Sequence, residues 1–172
     1  MNNAKGNQRG GRRGSGKPVD KEFTTITLDV RRVARVVAGG RRFSFRTTVA
    51  VGDKKGRVGV GVAKGKDASA SVEKATREAK KYMVNVPMVN GTIPYQVHAK
   101  YKASFVILKP TRGRGIVAGG PVRAVCELAG IKNISGKLTS RTTNKLTNAQ
   151  AVIQAFRILG ARYNRDAARN KK

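Results

Sequence analysis

Six arginines, Arg31, Arg32, Arg35, Arg41, Arg42 and Arg46, fall within the stretch RRVARVVAGGRRFSFR, which contains no acidic residue. The guanidinium group is a planar fork of donors that fits a phosphate, so arginines clustered around a turn point to anion recognition. Gly39 and Gly40 sit at the centre of the stretch, where glycine supplies the positive φ angles of a tight hairpin and lets the backbone approach a neighbour closely. Two more basic turns follow. Lys54, Lys55 and Arg57 flank Gly52-Asp53-Lys54-Lys55-Gly56, and Lys64-Gly65-Lys66 precedes a predicted helix on which Lys74 and Arg77 face outward. A solvated charged surface is the plain alternative for any one of these runs. Three of them in one small unit could line a single ridge that tracks a phosphate backbone.

The overall charge favours binding. The 172-residue chain has 37 Lys and Arg against 9 Asp and Glu, a formal charge of +28, while 39% of its residues are hydrophobic. It can therefore bury a core, and the self-repulsion is of a size usually tolerated only beside a polyanion. A nucleic acid comes first as the partner. A membrane is excluded as the leading partner because no apolar run approaches the ~20 residues of a spanning helix, and the chain is expected to be soluble and intracellular. With no Trp, 4 Tyr and 5 Phe, the composition suits recognition of shape and backbone better than stacking on unpaired bases, so structured RNA fits best.

Catalytic and metal chemistry are poorly provisioned. Cys126 and His98 are the single cysteine and histidine, so neither an internal disulfide nor a Cys/His zinc site can be assembled. Cys126 reads as a small core side chain on a helix, His98 as a strand-surface residue. The loop Gly113–Ala124 (GRGIVAGGPVRA) has the look of a nucleotide cradle but lacks the Lys-Ser or Lys-Thr of a phosphate-binding loop. No cofactor, metal or catalytic residue is expected, and the loop is read as a helix start packed against RNA or protein.

The elements that must hold the basic turns are predicted as follows. Residues 1–21 are read as a disordered basic arm and 161–172 as a basic tail, each ordering only against a partner. Residues 22–86 form a first domain of three strands and a helix. Ile26, Leu28 and Val30 alternate with polar neighbours, and the uncertain phase after Arg31-Arg32 suggests a bulge. Phe43, Phe45, Thr47, Val49 and Val51 share one face and are assigned to the core. Gly59, Gly61 and Ala63 leave the third strand with a nearly bare face on which a helix can pack. That helix is expected from Asp67 or Ser69 to about Val84, with Val72, Ala75, Ala79 and Tyr82 inward.

Asn85–Gly91 is the predicted boundary, and residues 87–160 form a second, α/β domain. Its strands are Tyr95–Tyr101 and Phe105–Leu108, the latter buried on both faces, with a weaker strand within Ile131–Arg141. One helix is expected with Gly120 as cap and Pro121 at its first position, ending at Gly130. A last one should start at a capping box of Thr147 and Gln150.

Three segments of this sequence, VARVVAGGRRFSFRTTVAVGDKKGRVGVGVAKGKDASASVEKATREAKKYMVNV, NGTIPYQVHAKY and GIVAGGPVRAVCELAGI, resemble the bacterial-type small-subunit ribosomal protein S-five family. The likeness covers Glu22 to about Leu159. It implies an α+β protein: a double-stranded-RNA-binding-like domain of three strands and a helix, then a small α/β sandwich domain with a four-stranded sheet and two helices, a type shared with some small-molecule kinases. It further implies a non-enzymatic, cytoplasmic component of the small ribosomal subunit, not an independent homo-oligomer. Such a component binds small-subunit (16S-type) rRNA at the head/body junction, supports assembly and translational accuracy, touches the S-four and S-eight proteins, and lies near the path by which mRNA enters. The resemblance assigns the surface around Arg112, Gly113, Arg114 and Gly115 to the S-four partner or rRNA. Many family members carry an acidic or neutral residue there, where this chain has two arginines. A free-standing duplex-RNA chaperone and a nucleotide-binding kinase-like protein are the alternatives.

Overall fold

In the computed structural model, residues 22–169 are described; the predicted arm, 1–21, lies outside them. In chain order the elements are β1 (Thr24–Val37), β2 (Gly40–Gly52), β3 (Arg57–Gly65), α1 (Ala68–Lys81), β4 (Val84–Asn85), β5 (Val97–Tyr101), β6 (Ser104–Pro110), β7 (Ile116–Val117), α2 (Gly120–Ala129), β8 (Ile134–Leu138) and α3 (Lys145–Arg169). They form two four-stranded sheets, an antiparallel one in the order β1-β2-β3-β4 and a mixed one in the order β5-β6-β8-β7. This is the expected α+β architecture.

The first sheet is covered on both faces. On one, Val49, Val51 and Ala63 pack against Ala75 and Ala79 of α1. The bare face expected at Gly59 and Gly61 is what admits the helix: a Cβ on Gly61 would overlap the carbonyl oxygen of Ala75 and come within 2.5 Å of the Ala79 nitrogen. On the other face, Ala50, Val58 and Val60 join Leu128, Val152 and Phe156 in a core shared with α2 and α3. The β2–β3 turn is also fastened there, since the Lys54 amide donates to the Leu128 carbonyl at 2.9 Å and the Gly56 amide to that of Ala129 at 2.9 Å.

Several local expectations are corrected. The bulge lies between Thr27 and Asp29, with Leu28 the extra residue, and the register from Arg31 to Val37 is regular. The loss of apolar alternation there reflects exposure of both faces, not a bulge. Helix α1 stops at Lys81 because Tyr82, at φ −111°, leaves the helical path; its side chain is 58% exposed and the chain returns to the sheet as β4. Phe105 and Ile107 are only half-buried. Their cross-strand neighbours, Lys100, His98 and Lys137, are exposed, so that face of the second sheet meets solvent. The two-residue β7 is too short to leave a periodic signal. Gly119 rather than Gly120 caps α2, with Pro121 in its first turn and Gly130 (φ 85°) closing it.

Helix α3 begins before the predicted capping box. Asn144 Oδ1 accepts the Leu146 amide at 3.1 Å, which does the capping three residues earlier. The helix also runs on through much of the predicted tail, to Arg169, although every residue from Ala161 to Arg169 is exposed.

Candidate nucleic-acid interface

Strand β3 ends its pairing with β2 at Phe45↔Gly65, whereas β1 and β2 continue as a ribbon from Val33↔Ser44 to Val37↔Gly40. Those pairs extend about 15 Å beyond the sheet. The turn is Ala38-Gly39, one residue earlier than expected, and Gly40 (φ 124°) takes the conformation that side chains disfavour.

Residues directly opposite in a ladder share a face. One face of the ribbon therefore carries Arg31↔Arg46, Val33↔Ser44 and Arg35↔Arg42, and the other Arg32↔Phe45, Ala34↔Phe43 and Val36↔Arg41. At the base, Arg46 also pairs with Lys64, so Arg31, Arg46 and Lys64 make a cationic row across three strands. The compensating acid is Asp29, which accepts from Arg31 Nε at 2.7 Å and lies 3.7 Å from Lys145 Nζ. Among the described residues, Arg35, Arg41 and Arg42 have no acidic partner. Like charges set directly opposite each other oppose strand pairing, so the ribbon holds positive charge at some expense to its own stability.

Phe43 is not core. It is 51% exposed, and the Arg32 guanidinium stacks on its ring at 3.7 Å. Its parity matches that of Val49 and Val51, but it lies beyond the end of α1, where none of the described residues covers that face. Phe45 is half-buried, and Val36 is 75% exposed. Arg46 and Phe43 are thus ribbon residues that periodicity alone does not single out; the register identifies both.

Lys64 and Lys66 stand between the ribbon base and the start of α1, and Lys74 and Arg77 are exposed along that helix. Lys54, Lys55 and Arg57 are elsewhere. They lie at the far end of β2, a 13-residue strand that spans roughly 40 Å, so the three basic turns do not form one ridge. Arg57 is also engaged locally, donating from Nε to Asp53 Oδ2 at 2.7 Å with its guanidinium 5.5 Å from the Phe23 ring.

Burial alone would raise the Asp53 carboxyl, but the Arg57 side chain and the amides of Arg57 and Lys55 hold it below the usual value of 3.8. A carboxyl depressed in this way stabilises the fold fully above its unfolded pKa and loses that contribution as pH falls through the folded value. Asp53→Asn should lower stability at neutral pH by about 1–2 kcal/mol and flatten the acid side of the pH–stability curve, as read by urea unfolding.

Arg112, Gly113, Arg114 and Gly115 form the loop from β6 to β7, with Gly113 (φ 71°) and Gly115 (φ 68°) in left-handed conformations. The Gly115 amide donates to Asn133 Oδ1 at 2.9 Å. The loop borders an open cleft that Thr92 and Thr111 also line, each with a buried hydroxyl that has no partner among the described residues. In the Gly113–Ala124 segment, β7 pairs in parallel with β8 before α2 begins, so the glycines do not form one continuous loop at the helix start.

Cys126 is fully buried, and desolvation pushes its thiol up to about 12. The thiolate needed for nucleophilic attack is therefore suppressed. Native protein should resist a thiol reagent at neutral pH and react promptly once unfolded in urea; fast labelling of the folded chain would contradict its place in the core. His98 is exposed on β5 as expected. Among the described residues no helix is long and apolar enough to cross a membrane.

The chain matches two family models, "Ribosomal protein S5, N-terminal domain" over residues 23–87 and "Ribosomal protein S5, C-terminal domain" over residues 99–168. It is 46% identical over 140 residues to the small ribosomal subunit protein uS5 of Persephonella marina, covering 81% of this chain and 72% of the relative. The uS5 protein of Thermotoga neapolitana is 44% identical over 140 residues, covering 81% and 78%. That of Treponema pallidum is 50% identical over 119 residues, covering 69% of each.

Proposed function

Because the chain belongs to the ribosomal protein S5 family, we propose that its arginine ribbon grips small-subunit rRNA at the junction of head and body, supporting subunit assembly and translational accuracy. The protein is a non-enzymatic structural constituent of the small ribosomal subunit and serves translation. Its contribution is electrostatic and geometric. Phosphates brought together at a junction repel one another, and a cationic ribbon between them lowers that cost.

The observation that carries this reading is the opposed pair Arg35↔Arg42, exposed on an uncovered ribbon with no acidic partner among the described residues. Arg31, Arg32, Arg41, Arg42, Arg46 and Lys64 extend the same cationic surface. Lys66, Lys74 and Arg77 widen it along α1, while Lys54, Lys55 and Arg57 meet a separate stretch of RNA. Arg112 and Arg114, with the flanking glycines, serve the neighbouring S-four protein or rRNA. The S-eight protein and the path of incoming mRNA lie close by in the cytoplasmic subunit.

The test is the salt dependence of affinity for purified small-subunit rRNA. Replacing Arg41 and Arg42 by glutamine should reduce the slope of log K against log salt by about 0.9 for each duplex phosphate that is no longer neutralised. An unchanged slope would remove the ribbon tip from the interface.

A further inference from the structure

The two faces of the ribbon differ in chemistry. One carries the opposed arginine pairs Arg31↔Arg46 and Arg35↔Arg42. The other continues the face that α1 covers at Thr47, whose hydroxyl meets that of Ser71 at 2.6 Å. Beyond the helix this second face presents Arg32, Ala34 and Val36 of β1 beside Phe45, Phe43 and Arg41 of β2. Phe43 is the exposed one of the five phenylalanines, since Phe23, Phe45 and Phe105 are half-buried and Phe156 is fully buried. A ring left 51% exposed forgoes much of the burial energy that an aromatic side chain supplies.

The surroundings of the ring are as informative as its exposure. Ala34, directly opposite Phe43, is small and leaves room for Arg32, the diagonal neighbour, to lay its guanidinium over the ring at 3.7 Å. Among the described residues Arg32 has no acidic partner, so the ring orients the fork where an ion pair does not. The result is a flat surface of ring and guanidinium, with Val36, 75% exposed, one pair nearer the tip.

We propose that Phe43 and Arg32 form a stacking platform for a single unpaired rRNA base, so that the ribbon neutralises phosphates with one face and holds an extruded base with the other. Unpaired bases are recognised by stacking on aromatic rings and guanidinium planes, because every base has a flat π face. A guanidinium spread over a ring keeps a second flat face and its in-plane N–H donors, so Arg32 can stack on a base and reach the phosphate beside it. The low aromatic count of the chain argues against a run of stacked bases, whereas one exposed ring suits one base. An apolar protein surface is the competing occupant. It fits less well, because Arg32 and Arg41 flank the ring without an acidic partner among the described residues, and the platform is continuous with the phosphate-binding face of the same ribbon.

Because the platform rests on rRNA being the partner of the ribbon, the experiment carries a control for that reading. Full-length chain is titrated with purified small-subunit rRNA over a salt series in five forms: the natural chain; Phe43→Leu; Phe43→Tyr; Arg32→Lys; and Arg35→Gln with Arg42→Gln. Leucine keeps an apolar side chain and lysine keeps the charge, but each removes a plane, whereas tyrosine keeps the ring. Circular dichroism and urea unfolding check that every variant is folded. Phe43→Leu should weaken binding roughly 5-fold or more at each salt concentration without altering the slope of log K against log salt. Arg32→Lys should lose affinity with the slope likewise kept, Phe43→Tyr should bind as the natural chain does, and the ribbon pair should reduce the slope. Acylation of rRNA 2′-hydroxyls, which reads nucleotide flexibility, should find one unpaired nucleotide quiet in the natural complex and reactive with Phe43→Leu. If Phe43→Leu binds like the natural chain while the ribbon pair reduces the slope, the platform is overturned and the ribbon reading stands. An equal loss with Phe43→Tyr removes ring stacking as the cause and overturns it too. If Phe43→Leu binds free rRNA normally but enters subunits poorly, the occupant is protein, and the proposal is equally overturned. If neither Phe43→Leu nor the ribbon pair has an effect, the ribbon reading fails as well.

Discussion

Gly61→Val is expected to unfold the first layer of the protein under conditions the natural chain survives. A Cβ at Gly61 would overlap the Ala75 carbonyl oxygen and crowd the Ala79 nitrogen, both backbone atoms of α1. No rotamer change relieves such an overlap, so the helix must lift off the sheet. Lifting it uncovers Val49 and Val51, both fully buried where they pack against Ala75 and Ala79. Overpacking into a side-chain core commonly costs about 1–3 kcal/mol; a clash with helix backbone belongs at or above the top of that range. Urea denaturation should show a large fall in midpoint. Gly39→Ala is the control, because nothing lies within 4 Å of a Cβ there and its φ is not positive. A near-neutral Gly61→Val would mean that α1 does not sit on the bare strand.

The second large effect separates stability from binding. Arg35 and Arg42 are directly opposite each other, so Arg35→Glu converts a repulsive cross-strand pair into an attractive one. The ribbon should gain roughly 0.2–1 kcal/mol, while affinity for rRNA falls. Arg35→Glu with Arg42→Glu restores like-charge opposition and leaves stability near that of the natural chain. At ~0.1 M salt each released counterion contributes about 0.9 of a log unit. Removing two guanidinium groups from the phosphates and setting carboxylates in their place should therefore weaken rRNA binding by roughly 100-fold or more. Equilibrium unfolding and filter binding on the same samples read both quantities. Parallel falls in stability and affinity would show that the arginines serve the fold rather than the RNA.

The ribbon illustrates how far pattern reading reaches. The paired strands, the basic turn and the bare face at Gly59 and Gly61 are all readable from alternation and glycine placement, since each depends on nearby residues. Where the covering layer stops is not. Phe43 and Val49 have the same parity, yet only Val49 lies beneath α1, and that difference arises from the length of β3 and the point where α1 begins. The same limit explains Tyr82, which continues the apolar stripe of α1 in sequence but leaves it in space once the helix ends. Asn144 is a cap legible in the sequence, three residues ahead of the more conspicuous pattern at Thr147 and Gln150. The tail shows the converse case: without an apolar period, nothing local announces that α3 continues to Arg169.

The placement of the basic turns is harder still. Composition identifies a polyanion partner, and each turn separately suits phosphate. Their arrangement is set by the antiparallel order of β1, β2 and β3, which sends Lys64 to the ribbon base and Lys54 to the opposite end. Arg57 looks equivalent to its neighbours in sequence, yet its Nε is given to Asp53.

The central claim is that the exposed ribbon lies against rRNA in the subunit. A photo-crosslinking residue in place of Val36, which is 75% exposed on the ribbon, tests it in assembled small subunits. Crosslinks concentrated on a few neighbouring rRNA nucleotides are the expected result, whereas crosslinks only to protein, or none above those from a probe at exposed Lys100 on the second sheet, would contradict it.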